Sequence, residues 1–535
     1  MASSGAHTEL VLAGLLFSVA VLVTAARVLA VPYPIFLVLG GLAMGAIPGI
    51  PNPELEPDLV LLIFLPPLLY SASFFTGLRE LRENVRQISM LAIGLVLATA
   101  LAVALVAHAV IDDMSWPAAF VLGAIVSPTD PVAATAIAGR IGVPRRVVTI
   151  VEGEALINDA TALVAYQVAV AAVLTGGFTA WKAGAEFLYS GIGGAAFGLI
   201  VGWIIAQVRE RLNDPPVEIT IALFSGYAAY LPAEELGLSG VTAAVAVGLY
   251  MGSQTSRLTT PEVRMQGDAV WQIITFLLNS ILFLLIGLQL PVILDDLRGA
   301  DFDTSDLLRY GGAVTATVIG TRIVWTYVIQ YSPYMFKHGV NRRAKARVIA
   351  VIAWMGMRGA VSLAAALALP TKTDSGEPFT ERPVILFTVF CVILGTLVLQ
   401  GLTLPWLIRL LRIEADDSDA LEQEARARLQ AAEAALDRID DLEREDWTRD
   451  ETLERMRGLY RYRRNRFAAR FDDDVDDGAI EDRSTLYGRM MFAVIDAQRE
   501  AIEGMRRAGE ISDEVKRTVE RDLDLEERRL DEVRE

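Results

Sequence analysis

Apolar runs of about 18–28 residues, separated by short polar joints, recur between residues 9 and 411. The pattern predicts about thirteen membrane-spanning helices, at 9–31, 33–50, 58–76, 87–111, 116–138, 147–174, 183–208, 216–232, 236–253, 268–294, 307–332, 347–369 and 383–411. Beyond Ile413 the character changes. Leu421, Leu429, Ala432, Leu436, Ile439 and Leu442 return at three- to four-residue steps among charges, which predicts an amphipathic helix. A basic aromatic stretch, Arg455 to Phe471, an acidic break, Asp472 to Asp477, and helical patterns at 483–508 and 512–534 follow. The expected fold class is an all-α polytopic membrane protein over residues 1–412. An acidic cytoplasmic helical domain of regulatory character would follow, over residues 413–535.

Two of the apolar runs are interrupted. The fifth contains Ser127-Pro-Thr-Asp-Pro131, with two prolines flanking a carboxylate. The twelfth contains Gly356-Met-Arg-Gly359, with an arginine between glycines. Proline removes a backbone donor and glycine tolerates unwinding, so both helices are expected to break in mid-membrane. Breaks seven spans apart are what two inverted repeats of six spans around a linker span would give. Broken, crossing helices of this kind mark the ion site of a secondary transporter.

The loops alternate in charge. One set carries Arg79, Arg82, Arg86, Arg140, Arg145, Arg146, Arg209, Arg211, Arg257, Arg264, Lys337, Arg342, Arg343, Lys345 and Arg347. The other carries Glu54, Glu56, Asp112, Asp113, Glu234, Glu235, Asp295, Asp296, Asp301 and Asp303. The positive-inside rule places the first set in the cytoplasm, and an odd span count then puts the N-terminus outside and the tail inside. The expected location is the cytoplasmic (inner) membrane. No basic n-region or cleavage site precedes the first run, so 9–31 reads as a membrane helix and not as a removed signal peptide.

Composition sharpens this picture in two respects. Of the 535 residues 53% are hydrophobic and the mean hydropathy is +0.41, too apolar for a soluble chain of this length. The net charge of −17 lies almost wholly in the tail, where residues 413–535 hold 37 acidic against 23 basic side chains. That balance gives nucleic-acid binding no support. The arginine-aromatic stretch reads as a solvated helix face pairing with the tail's acids, with contact to anionic membrane lipid as the other reading. The single cysteine, Cys391, excludes a disulfide within the chain.

The chemistry centres on Glu152-Gly-Glu-Ala-Leu-Ile-Asn-Asp-Ala160 in the sixth span. A charge at this depth costs at least about 2.5 kcal/mol, so a carboxylate kept there faces a partner or a water-filled path. Five residues of helix turn through about 500°, so Asp159 points about 140° away from Glu154, whereas Asn158 shares the Glu154 face. Asp130, Glu154 and Asp159 are set against Arg322 and Arg358, so two arginines leave one acid over. Such a carboxylate is satisfied by a proton or by a cation in competition, as an exchanger requires. Asp159 is the candidate, expected to face the broken fifth span. Thr129, Asp130 and freed carbonyls there would complete an oxygen cage for a small hard cation, so that Asp159 and Thr129 are its expected ligands.

Ser-Pro-Thr-Asp-Pro, Glu-Gly-Glu-Ala-Leu-Ile-Asn-Asp-Ala and Gly-Met-Arg-Gly-Ala-Val-Ser, in this order and spacing, resemble the bacterial sodium/proton exchangers of the monovalent cation:proton antiporter-1 family. The likeness covers about residues 8–412. It implies a homodimer of thirteen-helix protomers, with a core that moves against an interface domain. It implies that Asp159 carries cation or proton, and that Asn158-Asp159 in place of two aspartates belongs to electroneutral one-for-one exchangers. It further implies a structural ion pair of Glu154 with Arg322, and Asp130 and Arg358 as compensation for the broken half-helices. Two positions depart from the family. Ser71 stands where several members have an acid, and Ala155 where many have serine, which implies a cage poorer in protein oxygens, with Ser71 or Ser73 as weak substitutes.

The expected function is exchange of Na⁺, with Li⁺ or K⁺ as further cargo, for H⁺ in pH and salt homeostasis, with no cofactor. A K⁺/H⁺ antiporter is the alternative in the same class, and a cation channel or sensor the alternative outside it. The absence of a Gly-rich re-entrant filter argues against a channel. No nucleophile–base pair or metal-ligand spacing in the spans suggests an enzyme.

Overall fold

A computed structural model describes residues 2–48, 57–175, 180–212, 214–297, 303–331, 342–373, 376–413, 418–445, 447–468, 471 and 477–531. Glu54, Glu56, Asp301, Lys337 and the acidic run 472–476 lie outside them. The chain divides into two compact units, Met1–Ala415 and Asp416–Glu535.

The first unit is built from α1 (Ala2–Val28), α2 (Tyr33–Gly45), α3 (Pro57–Phe75), α4 (Leu78–Ser89), α5 (Val96–Val110), α6 (Trp116–Val126) and α7 (Pro131–Ile141). These are followed by α8 (Arg145–Thr175), α9 (Ala180–Arg209), α10 (Pro215–Glu235), α11 (Gly240–Leu258), α12 (Pro261–Leu288), α13 (Leu290–Leu297) and α14 (Thr304–Thr326). Then come α15 (Arg342–Trp354), α16 (Ala360–Leu367), α17 (Arg382–Gly395) and α18 (Gly401–Leu411). Single π-helical segments continue three of these helices, at Met90–Leu95, Tyr327–Tyr331 and Thr396–Gln400. Among the described residues seven helical stretches are long and apolar enough to cross a bilayer, and α2 and parts of α1 and α3 are shorter apolar helices. The twelfth apolar run falls short because its break divides it into helices of 13 and 8 residues.

Apolar burial joins these helices. Val103, Leu122, Val151, Phe283, Val318, Val351, Leu386 and Ile393 share one core. Around α3, α9, α10 and α11 a second cluster forms on Tyr70, which stacks on Trp271 at 5.4 Å and on Phe74 at 5.7 Å. Outward-facing Leu188, Ile192, Leu199 and Trp203 on α9 are exposed, the surface that hydrocarbon rather than water suits.

The second unit holds α19 (Ser418–Leu442), α20 (Asp450–Ala468), α21 (Asp477–Arg507) and α22 (Asp513–Asp531), paired α19 with α20 and α21 with α22. Arg457 of the basic aromatic stretch bonds Asp440 of α19 and Glu443 just beyond its end, at 2.9 and 2.5 Å. Arg428 lies over the Phe467 ring. The stretch thus turns part of its charge onto the acids of its own hairpin.

Candidate ion site

The fifth apolar run stops at Val126 and resumes at Pro131, because Pro131 has no N–H to continue the helix and sits at the first turn of the next, where none is needed. Asp130 caps that new helix, accepting from Val132 N at 2.8 Å. The twelfth run opens between Trp354 and Ala360, where Gly356 and Gly359 permit contacts no side chain would allow. A Cβ on Gly359 would lie 1.7 Å from Asp130 Oδ2, and one on Gly356 2.2 Å from Arg322 Cδ. The two breaks touch directly, Asp130 N donating to Met357 O at 2.8 Å.

Charges are matched to helix ends. Asp130 lies at the N-terminus of α7 and against Gly359, the N-cap of α16, where unpaired N–H groups favour an anion. Arg358 serves the opposite ends: its Nε donates to Val126 O at 2.9 Å, and its terminal nitrogens to Ser127 O and Gly356 O. Its backbone N donates to Thr396 Oγ1 at 3.1 Å. Asp130 and Arg358 therefore compensate half-helices rather than each other.

Glu154 and Arg322, separated by 168 positions, meet in a bidentate pair of 2.5 and 2.9 Å, at 1% and 0% exposure. Arg322 also donates to Ile352 O, near the end of α15, at 3.2 Å. Thr129 Oγ1 donates to Glu154 Oε1 at 3.1 Å and accepts from Asn158 Nδ2 at 2.8 Å. The face of α8 that touches the broken fifth run is therefore that of Glu154 and Asn158. Asp159, expected to meet the break, meets it only across a cavity.

That cavity measures about 300 Å³, with Asp159, Asp130, Thr129, Ser71, Asn279 and Ser362 among its lining. Its walls come from α3, α7, α8, α12 and α16 and from the break ahead of Pro131. Asp159 makes no hydrogen bond or ion pair among the described residues. Asp130 thus leaves the balance drawn from sequence altered, because both it and Asp159, not one acid, are without an arginine. Ser71 donates to its own helix at Leu68 O, 3.0 Å away, which leaves its oxygen lone pairs free. Ala155 contributes only a methyl to the wall, so the oxygen set is Asp159, Asp130, Thr129, Ser71 and their neighbours.

A second buried ion pair was not foreseen from the sequence. Arg209 and Glu218 meet at 3.3 Å with 3% and 1% exposure, joining the end of α9 to the first turn of α10. Arg209 stands among the cytoplasmic loop charges and Glu218 inside the eighth apolar run, and no spacing pairs them.

Residues 14–410 match the family model described as sodium/hydrogen exchanger, transmembrane. The chain belongs to the sodium/hydrogen exchanger family. It is therefore a multi-pass membrane transporter of monovalent cations and protons, and not an enzyme. It is 37% identical over 501 residues to an uncharacterised Na⁺/H⁺ exchanger of Mycobacterium tuberculosis, covering 93% of this chain and 91% of that one. It is 33% identical over 416 residues to a Na⁺/H⁺ antiporter of Aphanothece halophytica, covering 76% and 74%. A sodium, potassium, lithium and rubidium/H⁺ antiporter of Bacillus subtilis is 33% identical over 384 residues, covering 70% and 57%. The fold is similar to that of the sodium proton antiporter MjNhaP1 of Methanocaldococcus jannaschii, with a TM-score of 0.57, 17% identity and coverage of 75% and 98%.

Proposed function

We propose that this exchanger moves Na⁺ against H⁺ one for one across the cytoplasmic membrane, with both ions competing for Asp159. The observation that carries the reading is an uncompensated Asp159 facing a cavity roomy enough for water and a cation, while Asp130, Glu154, Arg322 and Arg358 are taken up by partners or helix ends. A carboxylate without a cationic partner must bind a proton or a cation to remain at this depth, and one site cannot hold both. Thr129, Asp130 and Ser71 would add oxygens to the cation's shell, with Asn158 holding Thr129 in place. Glu154 and Arg322 act as a structural pair, and Arg358 compensates the broken helices.

The wider arrangement belongs to the same proposal. Thirteen spans in two inverted repeats would place the N-terminus outside and residues 413–535 in the cytoplasm. A homodimer would anchor α3 and α12, while α7, α8 and α16 carry the ion across. The cavity, which all five of these helices line, would be where such movement exposes the ion to one side and then the other. The tail would regulate: its deletion should shift the pH profile of exchange and leave exchange itself intact.

Proton efflux from acid-loaded proteoliposomes, driven in turn by Na⁺, Li⁺ and K⁺ at clamped voltage, tests the proposal. Na⁺-driven efflux insensitive to voltage supports it. Response to K⁺ alone would replace the cation, and cation flux without proton movement would end the antiport reading.

A further inference from the structure

We infer that Glu152 forms an outer cation site in the same cavity, from which a small hard monovalent cation passes inward to Asp159. The inference rests on the reading of Asp159 as the exchange site.

Seven residues separate the two carboxylates on the unbroken α8, a rotation of about 700°. Their side chains therefore lie within about 20° of one another around the helix, and about 10 Å apart along it. Both line the cavity, with Ala155 and Leu156 between them. Glu152 is the one nearer the start of α8, where Arg145 has a 76% exposed side chain. Phe75, at the end of α3, and Thr76 just beyond it line the cavity as well. The stripe Glu152, Leu156, Asp159 thus runs from the surface end of the cavity toward its interior.

What surrounds Glu152 leaves its charge available. Its carboxylate makes no hydrogen bond or ion pair among the described residues. Glu80, its acidic neighbour, is taken up by Thr149 at 3.0 Å and by Arg145 at 3.4 Å. Arg145, whose field reaches Glu152, is thereby already engaged. A half-buried carboxylate free of protein partners and open to a cavity attracts a cation at short range, and walls of low polarity weaken that attraction less than bulk water would. The site would raise the cation's local concentration beside Asp159 without taking part in the exchange of proton for cation.

The test is Na⁺-driven proton efflux by the full-length protein in proteoliposomes of sorted orientation. Glu152→Gln should raise the apparent KM for Na⁺ about threefold to tenfold at low ionic strength, on the face to which the start of α8 opens. On the opposite face KM should stay within about twofold, and added choline chloride should narrow the difference on the first face. Glu152→Asp should keep the wild-type KM. Unchanged KM on both faces for Glu152→Gln overturns the outer site, and so does a loss of maximal rate that Glu152→Asp fails to restore. Asp159→Asn in parallel separates the two readings. Exchange surviving there overturns the inner site, whereas its loss beside an unaltered Glu152→Gln overturns the outer site alone.

Discussion

Arg358 Nε, at the break of the twelfth apolar run, donates to Val126 O, the end of the first half of the broken fifth, at 2.9 Å. With the bonds to Ser127 O and Gly356 O, one guanidinium satisfies carbonyls that both breaks leave without helical partners.

Removing that guanidinium should loosen both half-helices together. Hydrogen bonds to a charged group contribute about 1.5–3 kcal/mol each, so Arg358→Met should cost several kcal/mol. Thermal unfolding of the purified protein checks this, and Arg358→Lys, which keeps the charge without the planar fork, should recover only part. Equal stability of Arg358→Met and wild type would show that the carbonyls are satisfied otherwise.

The Glu154–Arg322 pair predicts a non-additive cycle. Either single neutralisation, Glu154→Gln or Arg322→Gln, strands a buried charge and should cost about 3–5 kcal/mol. The double variant should be more stable than the sum of the single losses implies, because nothing charged is left behind. Additive losses in unfolding measurements would mean that the two side chains do not depend on one another.

In the tail, Glu503 is clasped by Arg506 at 2.7 Å, Lys516 at 2.8 Å and Arg507 at 3.0 Å, and these cations hold its carboxyl well below the usual carboxylate range. A carboxyl lowered in the folded state favours folding fully above the unfolded value, near 4.3, and that contribution fades as pH falls through the folded value. Glu503→Gln should therefore speed proteolysis of the α21–α22 hairpin slightly and equally from about pH 8 to pH 5, with the difference shrinking below. Added salt should diminish it too, since the groups are near the surface. A difference that widens on acidification would reverse the sign and refute the linkage.

Local chemistry made some features readable from sequence, and distance along the chain hid others. Pro128, Pro131, Gly356 and Gly359 announce their breaks because each acts on its own backbone. The role of Asp130 as a cap follows from its place just before Pro131. That Thr129 would spend its hydroxyl between Glu154 and Asn158 depends on how α8 crosses the break, which no spacing encodes. Helical rotation separates Glu154 from Asp159, but it does not tell that the Glu154–Asn158 face makes the hydrogen bonds to the broken run while Asp159 faces that run across a shared cavity. Arg209 reads as one more cytoplasmic loop charge because the topology rule treats every loop arginine alike, yet it is buried against Glu218. The place of Glu152 is not legible in the sequence, because it depends on the cavity that it shares with Asp159 two turns away.

The central claim is that Asp159 is the group for which cation and proton compete. It is tested most directly by Na⁺-driven proton efflux from acid-interior proteoliposomes containing wild type or Asp159→Asn, at equal protein incorporation and matched thermal stability. The account predicts voltage-insensitive exchange in the wild type and none in Asp159→Asn. A fully active Asp159→Asn would contradict it and move the exchange site elsewhere in the cavity.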